Sequence, residues 1–206
     1  MFTKFLFLLF TVCGFFAYSQ QNEEFRQIND RYSYHRSLIL SEFRKEFDTV
    51  ASESKKAEMR RDFADFMLKM DSVENSAYVA TLVRVKNKED LTRISTTSAH
   101  KQEFSKFGAE KDPEYPGGLT ALREEVAKGF YSGSLTTDQS RYRSQVSFIV
   151  EPDGYVSTVE ASGENPSFNR QAIIAVYMLK NRFQPATIAG VPVRYRYQLP
   201  IVMEFQ

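Results

Sequence analysis

The sequence predicts an α+β chain: a helical hairpin, then a small domain with an antiparallel three-stranded sheet and two helices. Three observations predict it. All 7 prolines lie at position 113 or later, so a proline-free first half meets a heavily punctuated second half. The first half carries apolar residues at helical spacing. The chain ends on a stretch, 191–205, in which Val191, Val193, Tyr195, Tyr197, Leu199, Ile201, Met203 and Phe205 hold every odd position. That is the period of a strand with one buried and one wet face.

Composition supports a packed core, with 18 Phe, 11 Tyr and 42% hydrophobic residues. Outside residues 1–19, which hold Lys4 and no acid, basic and acidic side chains balance. This balance argues against nucleic acid or an anionic membrane surface as partner.

Residues 1–19 read as an export signal. Lys4 forms a short positive region, residues 5–17 are apolar apart from Thr11, Cys13 and Gly14, and Ala17 and Ser19 are the small residues a signal peptidase inspects. Gln20 is then the mature start, and the mature chain has no cysteine, hence no disulfide, thiol nucleophile or thiolate metal site. The alternative is a retained membrane anchor, although the run is shorter than the roughly 20 residues that cross a bilayer. Phe10, Thr11 and Val12 lack the small residue that precedes a lipidated cysteine.

Residues 20–87 read as helical. Phe25, Ile28, Tyr32, Ile39, Phe43, Phe47 and Val50 form one stripe, and Met59, Phe63, Phe66, Met70 and Val73 a second one beyond a polar break at 51–54. Two such stripes pack against each other as a hairpin. Residues 77–86 fit either a helix or a strand. Residues 88–111, poor in apolar side chains, read as a tether. His35 and His100 sit far apart, with no carboxylate pattern that would make a metal site.

The second half, 112–206, is read element by element. Tyr115-Pro116-Gly117-Gly118 is an extended step into a tight turn. A helix follows over 119–128, with Leu119, Leu122 and Val126 inward and Gly129 as a left-handed stop. Residues 145–151 alternate as a strand, a turn closes at Gly154, and 155–161 return. Asn165-Pro166 starts a helix to about 181, burying Phe168, Ala172, Ala175, Val176 and Leu179. After Phe183-Gln184-Pro185-Ala186 and Gly190, the terminal strand spans about 50 Å at 3.3 Å per residue. Pro192 and Pro200 cannot donate to a ladder, so one side of this strand is expected to be open.

In order and spacing, Tyr115-Pro116-Gly117-Gly118, the segment 146–150 with Asp153-Gly154-Tyr155-Val156, Phe183-Gln184-Pro185-Ala186, Gly190-Val191-Pro192-Val193 and Leu199-Pro200-Ile201 resemble the C-terminal domain of TonB, in its Tyr-Pro-Gly-Gly variety. Tyr115, Pro116, Gly117, Gly118, Gly154, Pro185 and Gly190 are the structural positions of that pattern. The resemblance implies a periplasmic protein-binding module of a Gram-negative-type envelope. Its last strand would pair with an extended segment of an outer-membrane TonB-dependent transporter, in energised transmembrane transport. It implies inner-membrane motor proteins as further partners if the anchor is retained. TonB carries a proline-rich spacer, and this chain has none between its N-terminal segment and the domain. The alternative is therefore a soluble periplasmic scaffold or adaptor that reuses the fold without energy transduction.

An added strand takes affinity from main-chain hydrogen bonds and selectivity from alternate side chains. The contact is expected at Arg194, Tyr195, Arg196, Tyr197, Gln198 and Leu199, with the two tyrosines as anchors if exposed and as core if not. An exposed edge also leaves open a homodimer by strand exchange. No enzyme, cofactor or metal is expected: the chain has no glycine-rich phosphate loop and no nucleophile–base spacing. Glu124 and Glu125, neighbours on a helix, read as a solvated face.

Overall fold

The computed structural model describes residues 2–96, 109–135 and 141–204, with side chains over 23–92 in the first of these. The chain is α+β. Helices α1 (Phe2–Thr49) and α2 (Glu53–Thr96) form the hairpin, and α3 (Gly118–Lys128) opens the second half. Strands β1 (Arg141–Val150) and β2 (Val156–Ser162), helix α4 (Pro166–Tyr177) and strands β3 (Ala186–Ile188), β4 (Val191–Val193) and β5 (Tyr195–Glu204) follow. The three-stranded sheet is antiparallel in the order β2-β1-β5, and β3 and β4 form a separate ribbon. Among the described residues no helix is long and apolar enough to cross a membrane.

Several sequence expectations are changed by the structure. The terminal stretch is two strands: Val191–Val193 pairs with Ala186–Ile188, and Tyr195–Glu204 pairs with β1. The break falls at Arg194, so the sheet strand is about 33 Å long at 3.3 Å per residue. Ala189 and Gly190 both have positive φ (50° and 75°), the two-residue turn that suits a tight hairpin. Residues 77–86 are helical, and the supposed tether is helical through Thr96; residues 97–108 lie outside the described chain. In α2 the inward position is Met67, while Phe66 and Val73 are 48% and 57% exposed. A three-residue step from 63 to 66 carries the stripe off the seam, whereas a four-residue step keeps it there. Leu119 is exposed, and Gly129 closes α3 in a right-handed conformation.

The motif residues are structural. Gly117 and Gly118 have φ of 81° and 75°, and a Cβ on Gly117 would lie 2.8 Å from that of Ala121. Tyr115 is buried edge-on against Phe183, and its hydroxyl donates to Glu125 at 2.6 Å. Burial and Glu125 hold this phenol above its ordinary range. Glu125 also accepts from the Lys180 N–H at 2.5 Å, so it ties α3 to the end of α4. A Cβ on Gly154 (φ 82°) would sit 2.1 Å from the Phe183 carbonyl, and the Phe183 N–H donates to the Gly154 carbonyl at 2.9 Å. Pro185 is half-buried where residues 110–114 run beside 184–187. The Asn165 side chain caps α4 by accepting from the Phe168 N–H at 2.8 Å.

The core reaches across both halves. Phe25, Ile28, Tyr78, Leu82 and Val85 of the hairpin join one buried cluster with Val146, Phe148, Phe168, Ala172, Tyr177 and Leu199. Phe25 stacks on Tyr177 (centroids 5.2 Å, planes within 5°) and on Tyr78 (6.2 Å). Helix α4 is consequently buried on two faces, and Gln171, at 2% exposure, donates to Asn75 of α2 at 2.7 Å.

Candidate functional site

The sheet has two edges, and the chain treats them differently. At the β2 edge, β2 carries one more residue than β1 between Ser147 and Ile149, which makes a bulge at Thr158 and Val159. Thr158 has φ of 51°, a conformation a β-branched residue rarely adopts. Its N–H donates to Glu89 of α2 at 2.8 Å, and the Val159 N–H donates to the Tyr177 hydroxyl at 3.2 Å. That hydroxyl donates in turn to Glu89 at 2.5 Å. Lys86, ion-paired with Glu89 at 3.0 Å, donates to the Val159 carbonyl. Burial, then Glu89, holds the Tyr177 phenol far above its ordinary range, so it is a fixed donor. The polar groups released by the bulge are thus satisfied by α2 and α4, and α2 lies against this edge at the bulge.

The other edge is β5. One side of it pairs with β1 in unbroken register from Arg141↔Glu204 to Val150↔Tyr195; the other side pairs with no strand among the described residues. The β1–β2 turn fixes which peptide groups of β5 face out. Glu151 donates its N–H to the Tyr155 carbonyl across the β1–β2 turn, so the odd-numbered residues of β1 turn toward β2 and the even-numbered ones toward β5. Tyr195, Tyr197, Leu199 and Ile201, opposite Val150, Phe148, Val146 and Ser144, are therefore the residues that exchange bonds with β1. Arg196, Gln198, Pro200 and Val202 turn outward. Pro200, which has no N–H, falls on the outward side, where no ladder bond is lost. Along the outward side Gln198 and Val202 carry N–H donors, and Pro200 between them has none.

The side chains expected to hold a partner fall into three groups. Tyr197 is half-buried and packs against Phe148 (5.2 Å) and Phe183 (5.6 Å), and Leu199 is fully buried; both belong to the core. Tyr195 is half-exposed, its phenol raised by burial and then by Asp112. Arg196 is half-buried and Gln198 exposed, at the outward peptide positions.

Arg194 is not the solvated charge that alternation implied. Its Nε and Nη2 each donate to Glu151 at 2.8 Å, and Glu151, 3% exposed, also accepts from the Ser157 hydroxyl at 2.5 Å. This bidentate pair fastens the start of β5 to the β1–β2 turn. It had no signal in the sequence, because the partners are 43 residues apart. Glu89, Gln171 and Tyr177 were also missed, for the same reason. His35 is exposed on α1, and His100 lies outside the described residues.

No protein-family model, curated protein or solved structure matches the chain.

Proposed function

We propose that the chain is a protein-binding module whose β5 rim accepts an extended segment of another protein as an added strand. By its resemblance to the TonB C-terminal domain, that segment belongs to an outer-membrane transporter, and the module works in the periplasm. The observation that carries the reading is the asymmetry of the sheet: the β2 edge is met at its bulge by Glu89 and Lys86, while β5 pairs with β1 on one side and, among the described residues, with no strand on the other. A strand added there gains main-chain bonds at Gln198 and Val202 and meets the gap at Pro200 between them, which interrupts the ladder.

The docked hairpin favours a second reading, an adaptor that presents the same rim without transmitting force. Phe25 and Val85 are fully buried with the sheet domain, unlike the residues of a free spacer. Envelope fractionation separates the two, since a shortened species outside the membrane fraction favours the adaptor.

The rim is tested on the full chain with a synthetic peptide copying the extended N-terminal segment of such a transporter. Gln198→Pro deletes an outward donor and spares the pairing with β1, so it is expected to weaken peptide binding at least roughly tenfold while the fold persists. Tyr197→Pro, at an inward position, is expected to unfold the domain. Unchanged binding by folded Gln198→Pro would move the site off this edge.

A further inference from the structure

The hairpin has two unlike ends. Near the domain, Phe25, Ile28, Tyr78, Thr81, Leu82 and Val85 are buried. Between 29 and 77 no residue is buried, although Phe43 and Phe63 stack there at 4.0 Å and Met67 and Met70 are half-buried beside them. Two helices alone do not close that seam.

One face of α2 in this distal part carries a pattern that is complementary to itself. Met59, Asp62, Phe66, Lys69 and Val73 follow at steps of three and four, so they share a face. The order is apolar, acidic, aromatic, basic, apolar, centred on Phe66. Met59 is half-buried, Asp62 and Lys69 are exposed and make no ion pair within the described chain, and Phe66 and Val73 are 48% and 57% exposed.

An antiparallel copy of α2 related by a two-fold axis through Phe66 would set Phe66 against its own symmetry mate. Lys69 would lie beside the mate's Asp62 and Val73 beside the mate's Met59, each pair occurring twice. A parallel copy would set Asp62 against Asp62 and Lys69 against Lys69, so the charges select the antiparallel arrangement.

We propose that this face joins two copies of the chain into a two-fold dimer, a four-helix arrangement of two distal hairpins with a strand-accepting rim on each subunit. The proposal is independent of what the rim binds.

Sedimentation of the full chain over a concentration series tests it. A concentration-dependent dimer is expected, and Phe66→Glu is expected to give a monomer of unchanged helix content. Asp62→Lys and Lys69→Asp, each of which places like charges face to face, should weaken the dimer roughly tenfold, the loss of two pairs at once. The double variant Asp62→Lys/Lys69→Asp should restore it. Both sites are exposed and make no ion pair among the described residues, so folding is not at stake. A monomer at all concentrations overturns the proposal, as does a dimer insensitive to Phe66→Glu. Failure of the double reversal to recover what the single reversals lose overturns it as well.

Discussion

The two edges of the sheet solve the same problem in opposite ways. At β2 the strand is bulged, strained at Thr158 and met there by Glu89 and Lys86 of α2, which with Tyr177 of α4 take up the displaced peptide groups. At β5 the strand is in register with β1 over its whole length and, among the described residues, pairs with no strand on its outer side, where Pro200 lacks a donor. A chain that protected itself only against aggregation would cover both. The difference teaches that the hairpin does more than extend the molecule. By meeting the β2 edge at its bulge it leaves β5 as the edge of this sheet that, among the described residues, has no neighbour.

Removing the cover breaks this comparison most strongly. Phe25→Ala empties a site between Tyr78 and Tyr177 and is expected to cost about 4 kcal/mol. Chemical denaturation measures the loss. Hydrogen exchange should show the Thr158 and Val159 amides opening before those of β5 that face β1. Equal opening of both would mean that the edges are not independent.

Arg194→Ala acts on the other edge. It leaves Glu151 buried without its cation and should cost about 3 kcal/mol. Exchange should rise first at Tyr195 and Tyr197, with the β2 side unaffected.

Tyr177→Phe is milder, at about 1–2 kcal/mol, because the ring stays and only the hydroxyl between Val159 and Glu89 is lost. It also carries a pH signature. Burial first, then Glu89 for Tyr177 and Glu74 for Tyr78, raises both phenols in the folded state. Their contribution is therefore complete below the ordinary tyrosine value of about 10 and is lost as pH rises beyond it. Circular dichroism with tyrosinate absorbance should show the hairpin–domain contact failing only in strong alkali. The Tyr177→Phe variant should show a shallower dependence there. Failure near neutral pH would exclude these phenols as its cause.

Much of the fold could be read from local pattern. Asn165-Pro166 starts α4, Gly154 makes its turn, and β1 and β2 fall close to their alternating runs, because caps, turns and strand period depend on residues a few positions apart. The same logic failed where two local signals ran together. The odd-position alternation of 191–205 continues through Arg194, and only the pairing of Val191–Val193 with β3 shows that the stretch is two strands. In α2 the 63-to-66 step was a legitimate helical spacing, and the neighbouring helix decided that Met67 faces it.

The candidate site was legible in part. Pro200 pointed to an edge, yet the roles of the side chains around it did not follow. Tyr197 packs in the core and Arg194 is held by Glu151. What remains for a partner is chiefly backbone, which every residue carries and no sequence motif marks.

By itself, then, the sequence determined the helical hairpin, the start of α4, the turn at Gly154, the α+β class and a terminal strand with one wet face, since each follows from the φ/ψ preferences and hydrophobic period of neighbouring residues. The tertiary structure decided which edge of the sheet is closed. That outcome rests on Phe25 meeting Tyr177 and on Glu89 meeting Thr158, contacts between residues far apart in the chain, whose free energy exists only once both halves are packed together.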